Sequence, residues 1–143
     1  DRRFRERGRS VREALNPLLD VAKGHPQRAM LLAHRLWEEV EHGGTGTLED
    51  WSAAHAATLA ELEPEFDAQW RGFDLSERKT MRALVAGEGS PYRGDVLDRL
   101  ELTKDRVRRA LPRLLATADI ESIEDGYRVV DPLLVEWVER VGD

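Results

Sequence analysis

Apolar residues at helical spacing run through almost the whole chain, and this pattern limits the fold more than any other feature. Segments 10–23, 27–41 and 48–70 each place apolar side chains three or four residues apart, and proline or glycine separates them. That spacing puts the apolar residues on one face of a helix. In contrast, residues 119–132 alternate around a turn signal, as a β-hairpin does. We therefore predict a mainly α fold with one small β-hairpin.

Residues 1–72 are predicted to form a three-helix subdomain. Ser10 is placed to cap the first helix, which ends at Gly24, a residue suited to the left-handed conformation that closes helices. The dipeptide Asn16-Pro17 is the weak point, because a proline ring clashes with the preceding turn and breaks or kinks a helix. The first helix is therefore expected to be interrupted near its middle.

The second and third helices have clearer boundaries. Pro26 suits a first helical position, where its missing N–H is not needed. The apolar face of this second helix is predicted to hold Met30, Ala33, Leu36, Trp37 and Val40. Thr47 and Asp50 resemble a capping box at the start of the third helix, and Pro64 is expected to interrupt that helix.

Residues 73–143 follow a different pattern. Ser76 is predicted to cap a first helix, residues 93–101 give a short second helix, and Thr103 caps a third. The turn at Asp125-Gly126 then joins two short strands, and residues 131–141 form a closing helix. The third helix is expected to bury Val107, Ala110, Leu111, Leu114 and Leu115. Three helices followed by a hairpin predict a winged helix-turn-helix domain over residues 73–143.

Composition excludes several classes of protein. The chain has no cysteine, so disulfide frameworks, thiolate zinc sites and cysteine nucleophiles are ruled out, and its four histidines have no spacing typical of a metal site. No apolar run approaches the ~20 residues of a spanning helix, so no membrane partner is predicted. Nothing resembles a secretory signal, which favours a cytoplasmic location. The sequence begins without Met or a turn signal, and we interpret it as part of a longer protein.

The stretch GHPQRAMLLAHRLWEE, residues 24–39, resembles the lid region of AAA+ and related signal-transducing (STAND) P-loop ATPases, including archaeal-type and origin-recognition-type relatives. In that family a Gly-x-Pro or Gly-x-x-Arg turn between two lid helices lies against the bound nucleotide, and a winged helix commonly follows. The resemblance implies ATP or ADP with magnesium as cofactor of the longer protein. This chain has no G-x-x-x-x-G-K-[ST] motif, so alone it is predicted to bind no cofactor and to have no catalytic residue.

The resemblance assigns nucleotide contact to the turn between the first two helices. Its residues are Gly24, His25, Pro26, Gln27 and Arg28. A glycine allows close backbone approach, a proline offers a flat apolar edge to a base, and a helix N-terminus attracts phosphate. In Gly-x-Pro-Arg forms the arginine follows the proline directly, whereas here it comes one residue later. We therefore favour a contact with the base over a sensor arginine, with Arg28 as a candidate phosphate contact. The alternative is a plain turn between helices, with Pro26 at a first helical position.

The third helix of the winged-helix region is locally basic, which raises the alternative of DNA binding. The residues nominated for contact with nucleic acid or a partner are Lys104, Arg106, Arg108, Arg109, Arg113 and Arg128. However, helical geometry leaves Asp105 and Pro112 at the centre of the exposed face. Acidic residues also outnumber Arg128 on the hairpin and would repel phosphate. DNA is therefore a less favoured partner than protein.

Three functions remain open from the sequence. The first is a regulatory C-terminal part of an ATPase, with the P-loop core of the same polypeptide as partner and the winged helix docking on that core or on another protein. The second is a DNA-binding regulator, to which an arginine-rich start would contribute (Arg2, Arg3, Arg5, Arg7, Arg9 and Arg12). The third is an interaction or scaffolding domain, suggested by four tryptophans and large amphipathic faces.

Overall fold

The computed structural model describes residues 13–40 and 44–141, which form seven helices and one antiparallel hairpin. The helices are α1 (Leu15–Ala22), α2 (Pro26–Glu39), α3 (Leu48–Gly72), α4 (Leu75–Ala86), α5 (Gly94–Leu100), α6 (Lys104–Ala116) and α7 (Pro132–Val141), and the strands are β1 (Ile120–Ile123) and β2 (Gly126–Val129). The predicted mainly α fold with a small β-hairpin is confirmed. The proposed cap at Ser10 and the arginine-rich start lie outside the described residues.

The chain divides into two compact units between Glu63 and Pro64, inside α3. The sequence pattern instead predicts a division after residue 72. Aromatic contacts account for the difference, because Phe66 and Trp70 near the end of α3 both lie against Trp137 of α7, with ring centroids 6.2 and 5.8 Å apart. Such aromatic pairs stabilise beyond the area that they bury. The last turns of α3 therefore belong with the second unit.

The first unit is built on the buried faces of α1, α2 and the start of α3. Its core is formed by Ala14, Leu18, Ala22, Leu32, Leu36, Val40, Trp51 and Ala54. Met30 was predicted to lie on the buried face of α2 but is 74% exposed, whereas Leu32 is fully buried. The run Met-Leu-Leu-Ala at residues 30–33 is apolar around the helix, so the pattern does not fix which side faces inward.

The three prolines of the first two helices and α3 occupy different positions. Pro17 lies in the first turn of α1, which begins at Leu15, and there its missing N–H leaves no helical bond unmade. Pro26 is the first residue of α2, as predicted. The expected interruption at Pro64 does not occur, and α3 continues from Leu48 to Gly72. Residues on both sides of the proline are buried, and this packing stabilises the helix despite the proline.

Capping interactions define where α3 and α4 begin. The Thr47 N–H donates to Asp50 Oδ2 over 3.0 Å and the Asp50 N–H donates to Thr47 Oγ1 over 3.1 Å, so the predicted capping box is confirmed. The prediction that Ser76 caps the next helix is wrong. Asp74 caps α4 by accepting from the Glu77 N–H, and the Glu77 carboxylate accepts from the Asp74 N–H in return.

The second unit packs α4, α5, α6 and α7 with the hairpin in the order of a winged helix. Its fully buried side chains include Met81, Val107, Leu114, Ile120, Leu133 and Leu134. Thr103 caps α6 through a hydrogen bond from the Arg106 N–H, as predicted. Leu115 was predicted to be buried but is 36% exposed, because α6 directs Leu111 and Leu114 inward instead.

The hairpin turn lies one residue earlier than predicted. Ile123 pairs with Gly126, so Glu124 and Asp125 form the turn and Gly126 already belongs to β2. Gly126 approaches the loop between α4 and α5, where the Tyr127 N–H donates to the Gly89 carbonyl over 3.0 Å. A Cβ added at Gly126 would lie 2.3 Å from that carbonyl oxygen. The absence of a side chain at Gly126 therefore lets the hairpin contact this loop.

Candidate functional site

The turn between α1 and α2 is the predicted nucleotide-facing site. Lys23 ends α1 in the left-handed conformation and Gly24 follows with φ +76°. Apart from Gly24 itself and its two chain neighbours, no heavy atom of the described structure lies within 4 Å of the position that a Cβ on Gly24 would take. The backbone at Gly24 is therefore open to close approach from outside.

His25 has a structural role that the sequence analysis missed. Its Nδ1 accepts a hydrogen bond from the Arg28 N–H over 3.3 Å, which makes His25 the cap of α2. Histidine is not among the preferred capping residues, so its type gave no signal; only its place before Pro26 did. Because the Arg28 N–H bonds to His25 and Pro26 has none, fewer backbone donors remain for a phosphate at this helix end.

The five assigned residues of the turn differ in their exposure. Gly24, Pro26 and Gln27 are exposed, whereas His25 and Arg28 are half-buried. Pro26 is exposed two residues after the open backbone of Gly24. This arrangement favours an apolar contact, such as one with a base, over a contact made by the helix amides.

Asp105 lies at the centre of the basic face of α6 and binds two of its arginines. Arg109 Nη2 is 2.9 Å from one Asp105 carboxylate oxygen, and Arg108 Nη1 is 3.4 Å from the other. All three side chains are exposed. Asp105 thus lies among these cations, as predicted, and its carboxylate offsets part of their positive charge.

Two further nominated arginines pair with acids outside α6. Arg113 donates to Asp74 Oδ2 over 2.9 Å. The hydrogen bond from the Glu77 N–H, together with the Arg113 guanidinium, holds the pKa of the Asp74 carboxyl below its ordinary value. On the hairpin, Arg128 Nε donates to Glu121 Oε1 over 2.8 Å.

Lys104 and Arg106 differ from the other nominated cations. Both are exposed at the start of α6, and neither forms an ion pair with a residue in the described ranges. Four of the six nominated cations are therefore paired, and the two that are not stand in the first turn of the helix.

Comparison of this chain with protein families, with curated proteins and with solved structures gives no match. Its family and its partners accordingly remain predictions from the sequence. In residues 13–40 and 44–141, no helix combines the length and apolar composition needed to cross a membrane. The same ranges contain no cluster of three or more histidine and acidic side chains suited to a metal ion.

Proposed function

We propose that this chain is a non-catalytic regulatory part of a nucleotide-switching ATPase, in which the winged helix of residues 75–141 docks on protein and not on DNA. The ion pairing of the basic face is the observation that supports docking on protein. Arg108, Arg109, Arg113 and Arg128 each lie within ion-pair distance of a carboxylate of the second unit. These are the side chains that a DNA-binding winged helix would present to phosphate.

Electrostatics explain why paired arginines disfavour DNA. Affinity for DNA comes largely from cations that neutralise phosphates and release counterions. Here Asp105 and Glu121 place negative charge beside those cations, where phosphates would approach. The exposed side of α6 also carries Pro112 and the partly exposed Leu115 between its charged groups. A protein partner can cover such apolar groups, whereas a phosphate offers them no apolar surface.

Binding to duplex DNA tests the choice between protein and DNA. We expect fluorescence anisotropy with a labelled duplex to show no salt-sensitive binding by the wild-type chain between about 50 and about 200 mM salt. The double variant D105N/E121Q, which frees Arg108, Arg109 and Arg128 from their carboxylates, should gain affinity that falls as salt rises.

The matched control is E65Q/D98N, which removes two negative charges at exposed positions outside α6 and the hairpin. It should stay as weak a binder as the wild type. Salt-sensitive binding by the wild-type chain would overturn docking on protein, and an equal gain by both double variants would show that net charge, not ion pairing, controls DNA affinity.

The ATPase part of the proposal is supported by the turn at Gly24 to Arg28, with its open backbone and exposed proline. In a longer protein that joins a P-loop core to this chain, we expect P26A/R28Q to weaken ATP binding about tenfold, which corresponds to about 1.4 kcal/mol. Nucleotide affinity and steady-state hydrolysis measure the effect. The control is Met30→Ala, an exposed change on the same helix. Unchanged binding and hydrolysis in P26A/R28Q would refute the sensing role.

A further inference from the structure

A groove of about 250 Å³ lies on the second unit between α4, α5 and α7. Its apolar lining comes from Val85 and Ala86 of α4, Leu100 of α5 and Val138 of α7. This volume is below the roughly 300 Å³ at which sites for drug-sized ligands begin. The groove therefore suits one or two side chains of a larger partner better than a whole small molecule.

The charged lining of the groove consists of Arg82, Arg99 and Glu139. Arg82 and Arg99 form no ion pair with any described residue, in contrast to the arginines of α6 and the hairpin. One turn before Arg82, on the same side of α4, the Nε of Arg78 is buried without a hydrogen-bond partner among the described residues. The two unpaired arginines against one acid leave the groove with a net positive charge.

We propose that this groove binds a short acidic segment of a partner protein, with an apolar side chain on Val85, Leu100 and Val138 and a carboxylate at Arg82 and Arg99. This inference rests on the proposed docking function and names its contact surface. A guanidinium matches a carboxylate in geometry and forms strong charge-assisted hydrogen bonds. None of the lining residues belongs to α6 or the hairpin.

The apolar lining distinguishes a peptide from nucleic acid as occupant. A phosphodiester backbone would satisfy the arginines but would leave the exposed apolar surface of Val85 and Ala86, above the buried Leu100 and Val138, without an apolar partner. Glu139 repels a phosphate and a peptide carboxylate alike and does not decide between them, although it can accept a hydrogen bond from a peptide N–H. A segment with acidic and apolar residues side by side complements both kinds of lining.

Nuclear magnetic resonance titration of the full ¹⁵N-labelled chain with the blocked hexapeptide Glu-Glu-Leu-Leu-Glu-Glu tests the proposal. We expect saturable shifts at the amides of Arg82, Val85, Arg99 and Val138. The peptide Gln-Gln-Leu-Leu-Gln-Gln should bind about tenfold more weakly because it lacks the carboxylates. The variant R82Q/R99Q should bind the acidic peptide with an affinity about tenfold below that of the wild type. The control K104Q/R106Q removes two unpaired cations of α6 and should bind this peptide as tightly as the wild type does.

The variant Arg99→Gln keeps the test decisive if the double variant does not fold, because Arg99 is exposed and its replacement leaves the core unchanged. It should weaken the acidic peptide severalfold while preserving the other amide positions in the spectrum. Absence of saturable shifts, equal binding of both peptides, or shifts at these amides with duplex DNA instead of peptide would overturn the groove assignment. If the acidic peptide does not bind and the wild-type chain also binds no DNA, the groove assignment is refuted, whereas the proposed docking on protein is not.

Discussion

Replacing Leu114 with alanine is expected to lower the free energy of unfolding of the second unit by about 2–5 kcal/mol. Leu114 lies on the inner face of α6 and is 0% exposed. Its truncation removes buried methyl groups and leaves a cavity that close-packed neighbours fill only in part. A loss of this size is comparable with the whole stability of many domains.

Leu115→Ala is the matched control, since the same change is made one residue later at a side chain that is 36% exposed. This variant should lower the free energy of unfolding of the second unit by about 1 kcal/mol or less. Amide hydrogen exchange in residues 75–141, measured against denaturant, reports the second unit alone. Tryptophan fluorescence would mix the two units, because Trp51 belongs to the first and Trp137 to the second. Equal losses for both variants would contradict the observed orientation of α6.

The two leucines also show what helical periodicity predicts and where it fails. The pattern correctly predicted that Val107, Ala110, Leu111 and Leu114 are buried, because they repeat at three and four residues. Leu115 continues the same apolar stripe and was included with them. Consecutive residues of a helix lie about 100° apart around its axis, so Leu114 and Leu115 cannot both face the centre of the core. Which of the two is buried depends on the elements that pack against the helix.

Choices between neighbouring polar residues fail for a related reason. Asp74 and Ser76 are both preferred capping residues, and both stand near the start of α4. The structure selects Asp74, whose capping box with Glu77 is combined with the ion pair to Arg113. The sequence contains the capping box itself, but Arg113 is 39 residues away and becomes a neighbour only when α4 and α6 pack.

The ion pairs of the basic face differ in how far a sequence reveals them. Asp105 and Arg109 are four residues apart on one helix, a spacing at which opposite charges meet. The position of the exposed face on the helix already predicted that the acid lies among these cations. Glu121 and Arg128 face each other only because the turn consists of Glu124 and Asp125. The sequence pattern predicted the turn one residue later. That register would not place Glu121 opposite Arg128, so this ion pair could not be predicted.

Replacing Gly126 with alanine is expected to lower the free energy of unfolding of the second unit by about 1–3 kcal/mol, the usual cost of forcing extra atoms into a packed site. The new Cβ would lie 2.3 Å from the Gly89 carbonyl oxygen, well inside contact distance. That oxygen belongs to the backbone and accepts the Tyr127 N–H, so no flexible side chain can move aside. The hairpin and the loop between α4 and α5 must separate instead.

Gly94→Ala supplies the matched control, because Gly94 begins α5 and its added Cβ would meet no heavy atom within 4 Å beyond its chain neighbours and the adjacent backbone of its own helix. Alanine favours a helix over glycine, so this variant should be as stable as the wild type or slightly more stable. Thermal unfolding compares the stability of the two variants. Hydrogen exchange of the Tyr127 amide shows whether the contact between the hairpin and the loop is lost. In Gly126→Ala that amide should lose its protection because its bond to Gly89 breaks. Equal stability of the two variants, with the Tyr127 amide still protected, would show that the hairpin does not depend on this close backbone approach.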